Sequence, residues 1–203
     1  MLPGCPDAAP GPDATSGSTP QRRRDRVYRA VTRVLAVALL PLAFAVAPRR
    51  ARHLACQWAL AARFPAERLR GLTPATRAAF EAARTAALWR DRELIGLTDG
   101  YRDDREQARL FADMVRRTGS VQAARRWILP PEESRHVRGT ALDVRPTEGA
   151  RWLERHGPRY HLYRVYDNEW WHFEYRPDGA PARLPHPGAS MSRRVCAVPA
   201  DRP

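Results

Sequence analysis

The chain has 203 residues, enough for one domain of ordinary size plus tails. It carries 35 basic and 22 acidic residues, a net charge of +13, and every basic residue is arginine, a skew that a GC-rich genome explains as well as a function does. The charge favours proximity to anionic membrane or wall polymers. Nucleic-acid binding is not predicted, because no recognised nucleic-acid motif accompanies the charge.

The N-terminal part of the chain reads as a tail followed by a targeting segment. Residues 1–26 form a basic tail that we expect to be disordered. The apolar run at residues 34–47 has 14 residues, fewer than the roughly 18 of a confident membrane span. Residues 27–47 therefore fit a signal peptide or an uncleaved signal anchor, with a buried core helix as the remaining alternative. Either of the first two would export the rest of the chain.

Cysteine usage leaves two interpretations open. Cys5 lies in the tail, so Cys56 and Cys196 are the pair that would flank the central part of an exported chain. Two free thiols fit the sequence at least as well.

Helices are predicted on either side of residue 72. Residues 48–71 read as a linker with a short helix at 51–62. A clear helix then starts at Thr73, a plausible N-cap, with Pro74 in its first turn. This alanine-rich helix is most simply a scaffold.

The next elements carry the first candidate functional residues. A strand at 93–98 delivers Arg102 to a turn at its end. A helix at 105–119 follows and places Gln107 in its first turn, where it would be solvated or would contact a substrate.

The second half of the chain alternates short strands and a helix before an irregular tail. We predict strands at 141–144, 160–166 and 169–175, a helix at 151–157, and irregular structure over 179–203. His156 and His161 fall among these elements and are expected to be structural.

Two histidines and two carboxylates lie within forty residues of one another: His136, Asp143, Glu169 and His172. Zinc binds histidine nitrogen and aspartate oxygen at roughly 2.0–2.2 Å, and a catalytic ion keeps one position open for water. His136, Asp143 and His172 would supply three ligands and leave Glu169 free to act as a base. Each residue alone would more often be a surface or capping residue; their joint spacing predicts a metal site.

The proposed metal site requires a particular backbone conformation at two places in the chain. Gly139, between His136 and Asp143, predicts a tight turn with a backbone angle barred to other residues or a close approach to the metal. Glu169 and His172 are three residues apart, so on a regular strand they would face opposite sides. A bulge or a turn is needed there for both to reach one ion.

These residues resemble a known family. The pattern S-x-H-x-x-G-x-A-x-D followed by E-x-W-H is similar to that of the zinc D,D-peptidases of the VanX and VanY type, and its fixed positions are Ser134, His136, Gly139, Ala141, Asp143, Glu169, Trp171 and His172. Gly100-Tyr101-Arg102 and Gln107 match two further VanY-type features.

The resemblance implies a ligand set and roles for several side chains. One zinc ion would be bound by His136, Asp143 and His172, with Glu169 as the catalytic base. Arg102 would be the cation that steadies the anionic oxygen of the reaction. Arg102, Ser134 and Gln107 would contact the substrate, although Ser134 also suits a purely structural role in its turn.

The resemblance also implies a fold and an activity. We expect an α+β fold, a small antiparallel sheet with helices packed on one side, in the D,D-peptidase (hedgehog/VanX-like) architecture over residues 72–178. The expected activity is that of an extracytoplasmic carboxypeptidase that removes the terminal D-Ala from peptidoglycan stem peptides. The enzyme would be a monomer, with membrane contact only through the N-terminal anchor.

Two alternative functions stay open. The first is a related wall peptidase, either a D-Ala-D-Ala dipeptidase or an L-Ala-D-Glu endopeptidase. The second is a non-catalytic wall-binding module that keeps the fold. Glu169 discriminates against the second, because a purely structural ion has no use for a free carboxylate beside an open position.

Overall fold

The computed structural model describes residues 19–189, with side chains from Asp25 onward. Residues 1–18 of the predicted tail, Cys5, Cys196 and the last part of the C-terminal tail lie outside the described residues. Cys56 is buried and forms no disulfide with another described residue, and its pairing with Cys196 stays a prediction.

Three helices form the N-terminal part: α1 (Thr19–Ala38), α2 (Leu40–Val46) and α3 (Ala51–Arg63). Residues 19–26, expected to be disordered, are the first turns of α1, because arginine is a good helix former and the segment continues directly into an apolar helix. The fully buried Ala36 and Ala43 belong to two hydrophobic clusters that also contain residues of α3. In the described part of the chain no single helix is long and apolar enough to cross a membrane; Asp25–Ala38 and Leu40–Val46 reach that length only as a pair bent by 43°.

The scaffold helix begins as predicted. Helix α4 (Pro74–Ala86) is capped by Thr73, whose Oγ1 accepts a hydrogen bond from the Thr76 amide at 3.1 Å. The cap satisfies one of the free amides of the first turn. The helix continues as a π-helical turn, Ala87–Asp91, which ends at the left-handed residue Arg92.

Four short strands form one antiparallel sheet in the order β1-β2-β4-β3. They are β1 (Gly96–Asp99), β2 (Ala141–Arg145), β3 (Leu162–Arg164) and β4 (His172–Tyr175). Three of them are shorter or shifted relative to the predicted strands at 93–98, 160–166 and 169–175. The flanking residues lie outside the four-stranded ladder, and Tyr166 instead forms an isolated parallel bridge with Leu184.

One face of the sheet carries the hydrophobic core. Leu142 and Val144 of β2 and Phe173 of β4 are at most 1% exposed, and they pack with residues of α4 and α7 (Thr147–His156). Helix α7 begins four residues before the predicted helix at 151–157 and passes at Gly157 into a 3-10 turn. The observed architecture confirms the predicted α+β fold class.

The opposite face of the sheet forms the floor of a cleft. Helix α5 (Asp104–Thr118), capped by Asp103 and ended by Gly119 at φ +74°, contributes one wall. It packs on the short helix α6 (Val121–Ala124). Residues 127–129 and 134–136, from the loop between α6 and β2, complete the cleft.

Candidate active site

Pairing between strands brings three polar side chains into one row on the cleft face. Asp143 of β2 lies opposite His172 of β4 and opposite Asp99 of β1. Leu97 and Asp99 would share a face on a regular strand, but a bulge between them shifts the register. Leu97 therefore enters the core while Asp99 joins Asp143 on the cleft side.

A loop before β2 supplies the second histidine. The loop is tied to the N-terminus of α4, since the Gly139 carbonyl accepts a hydrogen bond from the Thr73 amide at 3.0 Å. Gly139 has φ +64°, as predicted, and its close approach is to the backbone of Gly71–Thr73 rather than to the metal position. A Cβ atom here would overlap the Gly71 carbonyl oxygen. His136 is oriented by its Nδ1, which lies 2.6 Å from the Gly100 carbonyl oxygen.

The three predicted ligands lie together and are buried. Asp143 Oδ1 is 3.5 Å from His136 Nε2 and 3.0 Å from His172 Nδ1, and one ligand atom from each residue lies within 4.8 Å of the others. Three donors bound to one ion at zinc distances in tetrahedral geometry would be about 3.4 Å apart. The donor types and the two distances from Asp143 therefore fit a single zinc ion.

The charges of these residues are coupled. Burial opposes ionisation of Asp143, but the charges and hydrogen bonds of His136 and His172 hold its pKa far below the usual range. Burial alone would lower the pKa of His172, yet its contacts with Asp143 and Glu174 raise it to about 10. The imidazole of His172 therefore favours its protonated form in the absence of a metal. A divalent cation bound to this ring would compete with that proton.

Glu169 stands beside the ligands without being one of the three. Residues 169–171 form a turn rather than a strand, and the His172 amide lies 3.4 Å from the Glu169 carbonyl oxygen. The turn resolves the spacing problem, because it brings Glu169 Oε2 to 3.9 Å from His172 Nδ1. Burial raises the pKa of Glu169 to about 7; Asp143 and Glu174 add to this rise, and His172 and Arg102 oppose it.

Arg102 reaches the same centre from the end of β1. Its Nη2 lies 3.4 Å from Asp143 Oδ2, and its Nε donates to Asp99 Oδ2 at 2.7 Å. Gln107 forms a third contact with this guanidinium group. Its Oε1 accepts a hydrogen bond from Arg102 Nη1 at 3.1 Å, and its Nε2 donates one to the Leu129 carbonyl oxygen at 2.7 Å. Gln107 is 1% exposed, so the interpretation of a solvated side chain was wrong. The glutamine orients the arginine.

The cleft around these groups has a volume of about 340 Å³. Ser134 is buried at its wall, with its backbone amide bonded to the Pro130 and Pro131 carbonyls. Trp171 lines the cleft, whereas Trp170 packs against the core. The two adjacent tryptophans therefore have different environments.

Three further residues of the site were missed from the sequence. Glu174 is fully buried, and its Oε1 lies 3.3 Å from His172 Nε2, the ring nitrogen turned away from the other ligands. Burial opposes the charge of Glu174, but the hydrogen bond to His172 lowers its pKa. The signal was present, since Glu174 is two residues from His172 and so shares its face of β4.

The other two missed residues are Arg135 and Tyr166. Arg135 lines the cleft, and its one ion pair among the described residues is a long contact of 3.8 Å with Glu174, a carboxylate that Arg176 and His172 also contact. The Tyr166 ring lies against His172 with centroids 5.1 Å apart. No spacing rule marks either residue, because their neighbours come from other strands and loops.

The two histidines expected to be structural lie elsewhere. The His156 ring is 4.7 Å from Trp152, and the His161 ring is 6.1 Å from Tyr175. Neither belongs to the metal-ligand cluster found among the described residues.

Comparison with known proteins finds a matching protein family. The family model VanY, described as D-alanyl-D-alanine carboxypeptidase, matches residues 70–178, more than half of the chain. A search of curated proteins finds no match.

Solved structures give distant likenesses. A variant of the D,D-pentapeptidase VanY from a VanB-type resistance cassette, crystallised with Zn(II), is 23% identical, with a TM-score of 0.48 over 54% of this chain and 76% of that one. The LD-carboxypeptidase LdcB is 20% identical, with a TM-score of 0.47 over 51% and 58%. The L,D-carboxypeptidase DacB of Streptococcus pneumoniae reaches 23% identity and 0.43 over 63% and 73%.

The match to the family model spans β1 to β4, Arg102, Gln107, the metal loop and the turn at Glu169. The chain belongs to the VanY family of D-alanyl-D-alanine carboxypeptidases.

Proposed function

We propose that the chain is a zinc-dependent D,D-carboxypeptidase that removes the terminal D-Ala from peptidoglycan stem peptides. One observation carries the proposal: the buried donor set of His136, Asp143 and His172 stands beside the carboxylate of Glu169 at the floor of a cleft. When bound, zinc would supply a Lewis acid that polarises the scissile carbonyl and makes water nucleophilic near neutral pH.

Glu169 is the proposed general base. With a pKa of about 7, its carboxylate is ionised in part of the molecules at neutral pH and still basic enough to accept a proton. Oε2, the oxygen nearest His172, would take the proton of the attacking water and return it to the leaving amine. Burial and neighbouring carboxylates are the reason that an ordinary glutamate has this pKa.

Arg102 is the proposed stabiliser of the oxyanion. Its guanidinium is held from two sides by Asp99 and Gln107, so its positive charge is in place before the reaction begins. Preorganised charge of this kind contributes most where negative charge develops in the transition state.

Two further arginines support an exopeptidase over an endopeptidase. Arg117 and Arg135 both line the cleft; Arg117 has no ion pair among the described residues, and Arg135 has only its long contact with Glu174. Cations without a close partner suit a substrate that ends in a carboxylate. A stem peptide ending in D-Ala has that group beside the scissile bond, whereas an internal bond does not.

The place of action follows from the proposed substrate. Stem peptides of the wall lie outside the cytoplasm, so we propose an extracytoplasmic enzyme. Export by residues 27–47 and a monomeric state stay predictions.

The test uses the purified full-length chain loaded with zinc. We expect release of one D-Ala from a stem pentapeptide, read by mass spectrometry, and loss of that release on treatment with a chelator. Glu169→Gln should keep the zinc and lose about 100- to 10,000-fold in rate, whereas His136→Ala and His172→Ala should lose the zinc. Glu148→Gln, an exposed substitution on α7, is the matched control and should keep full activity.

Each other outcome has a meaning. Cleavage of only the free D-Ala-D-Ala dipeptide, or of an internal bond, would keep the zinc mechanism and overturn the substrate. Zinc binding without any cleavage would favour the wall-binding module. Full zinc content in the two histidine variants would contradict the ligand assignment.

A further inference from the structure

Exposed hydrophobic side chains are concentrated on the first two helices. Eleven large hydrophobic side chains are exposed in the described part of the chain, and all but Tyr101 and Val121 lie on residues 27–46. The most exposed are Val34 at 68%, Val46 at 63% and Phe44 at 61%. A concentration of this kind marks an interaction surface rather than ordinary surface scatter.

The helices that carry these side chains are packed onto the rest of the protein. Their other side contributes Ala36 and Ala43 to two buried clusters that also hold residues of α3. An ion pair of 2.7 Å joins Arg29 to Glu93, at the end of the turn that follows α4. The segment is therefore a folded element with one buried side and one outer side. We call the outer side, residues 27–46 with their exposed apolar side chains, the apolar face.

Arginines surround the apolar face on both flanks. One groove of about 910 Å³ is formed by apolar side chains of α2 and by four arginines: Arg49, Arg50, Arg52 and Arg90. A second groove of about 640 Å³ lies along α1 and contains Arg26, Arg29, Arg33 and Arg92. The two carboxylates in the second groove already have partners, since Glu93 pairs with Arg29 and Asp91 accepts a hydrogen bond from Trp152. The flanks are left with a strong positive charge.

We propose that the apolar face docks on the surface of an anionic phospholipid bilayer. Valine, leucine and phenylalanine side chains would enter the boundary of the acyl chains, and the flanking arginines would reach the lipid phosphates. Charge complementarity selects this occupant over a second copy of the chain, whose own arginines would be brought together. Side chains as long as arginine can cover apolar surface and still place their charge among headgroups.

Docking on the surface also accounts for features that spanning does not. Arg26, Arg29 and Arg33 share α1 with the exposed valines, and the two helices bend by 43° at their junction. The buried side of the two helices stays in contact with the protein, so only one side is free for lipid. The inference does not depend on the proposed peptidase activity.

The test is co-sedimentation of the full-length chain with vesicles. We expect binding to phosphatidylcholine vesicles that contain about 30% phosphatidylglycerol, at least about tenfold weaker binding to pure phosphatidylcholine, and release in roughly 1 M salt. Val34→Asp and Phe44→Asp should each weaken binding at least about tenfold. Val121→Asp changes a valine of similar exposure on α6 and should leave binding unchanged.

Several results would overturn the proposal. Absence of binding, equal binding to both vesicle types, or binding unaffected by Val34→Asp would each do so. Resistance to salt with protection of the N-terminal segment from protease would indicate a span instead. A dimer in light scattering that Val34→Asp dissociates would assign the apolar face to a second copy. Circular dichroism identical to that of the unaltered chain checks that the variants are folded.

Discussion

The two faces of the central strands have opposite characters, although the residues that form them alternate along the same short segments. On β4, Phe173 enters the core while its neighbours His172 and Glu174 face the cleft. On β2, Leu142 and Val144 alternate in the same way with Asp143. One face gains stability by removing apolar surface from water, whereas the other holds charged groups in a buried place.

Substitutions on the two faces should therefore affect different properties of the protein. The core face has complementary shapes and few polar atoms, so losses there should appear as lost stability. The cleft face gathers three carboxylates, Asp143, Glu169 and Glu174, around two histidines. Losses there should appear in metal binding and catalysis, and some should even stabilise the metal-free fold.

Phe173→Ala should give the largest loss of stability. The ring is fully buried, and its removal leaves a cavity, so we expect the free energy of unfolding to fall by about 3–5 kcal/mol. Urea denaturation monitored by circular dichroism measures the change. Phe173→Leu, which keeps most of the volume, should cost clearly less. A variant that is fully stable but inactive would contradict the division between the faces.

Glu169→Gln should have the opposite effect on the stability of the metal-free protein. The pKa of Glu169 is about 7 in the fold against an ordinary value of 4.5. Well below about pH 4.5 both the folded and unfolded states hold the proton; between about pH 4.5 and 7 the unfolded state releases it first, so the stability of the fold falls and the loss is complete above about pH 7. The variant should therefore be more stable than the unaltered chain by about 1–3 kcal/mol at about pH 8 and nearly equal at about pH 4.5.

Urea denaturation in the presence of chelator, at both pH values, checks this expectation. Glu148→Gln, at an exposed position, should show no such pH-dependent difference. A Glu169→Gln variant that is less stable than the unaltered chain at about pH 8 would show that the ionised carboxylate stabilises the fold.

Arg135→Gln should have the smallest effect of the three substitutions. It tests whether the cleft face binds the terminal carboxylate of the substrate. If Arg135 meets the terminal carboxylate of the substrate, its loss should reduce kcat/KM for a stem pentapeptide about tenfold. The same substitution should change little for a pentapeptide with an amidated C-terminus, which lacks that charge. Arg138→Gln is the nearby control. An equal loss on both peptides would assign Arg135 a structural role.

Much of the site could be predicted before the fold was known. The spacing of His136, Asp143, Glu169 and His172 selects residue types that suit zinc and a base, and the structure brings all four together. Gly139 predicted a backbone angle that other residues avoid, and the structure has that angle. Thr73 and Pro74 marked a helix start, because capping is a local interaction between residues near in sequence.

The misses share a physical cause. The burial of Gln107 depends on Arg102 and on the Leu129 carbonyl, which are distant from its own turn of helix. The bulge after Leu97 exists only against its partner strand β2. Three of the strand boundaries moved because a ladder needs a neighbour, and the neighbour is chosen by the whole fold.

The sequence by itself therefore determined which chemical groups are present, the turns and caps that act over a few residues, and the membership in the VanY family. Tertiary structure alone decided that Asp99, Asp143 and His172 form one row and that residues 27–46 turn an apolar face outward. The reason is the range of the interactions involved. Spacing along a chain controls contacts within a few residues, whereas register and burial depend on segments that meet only when the whole domain has folded.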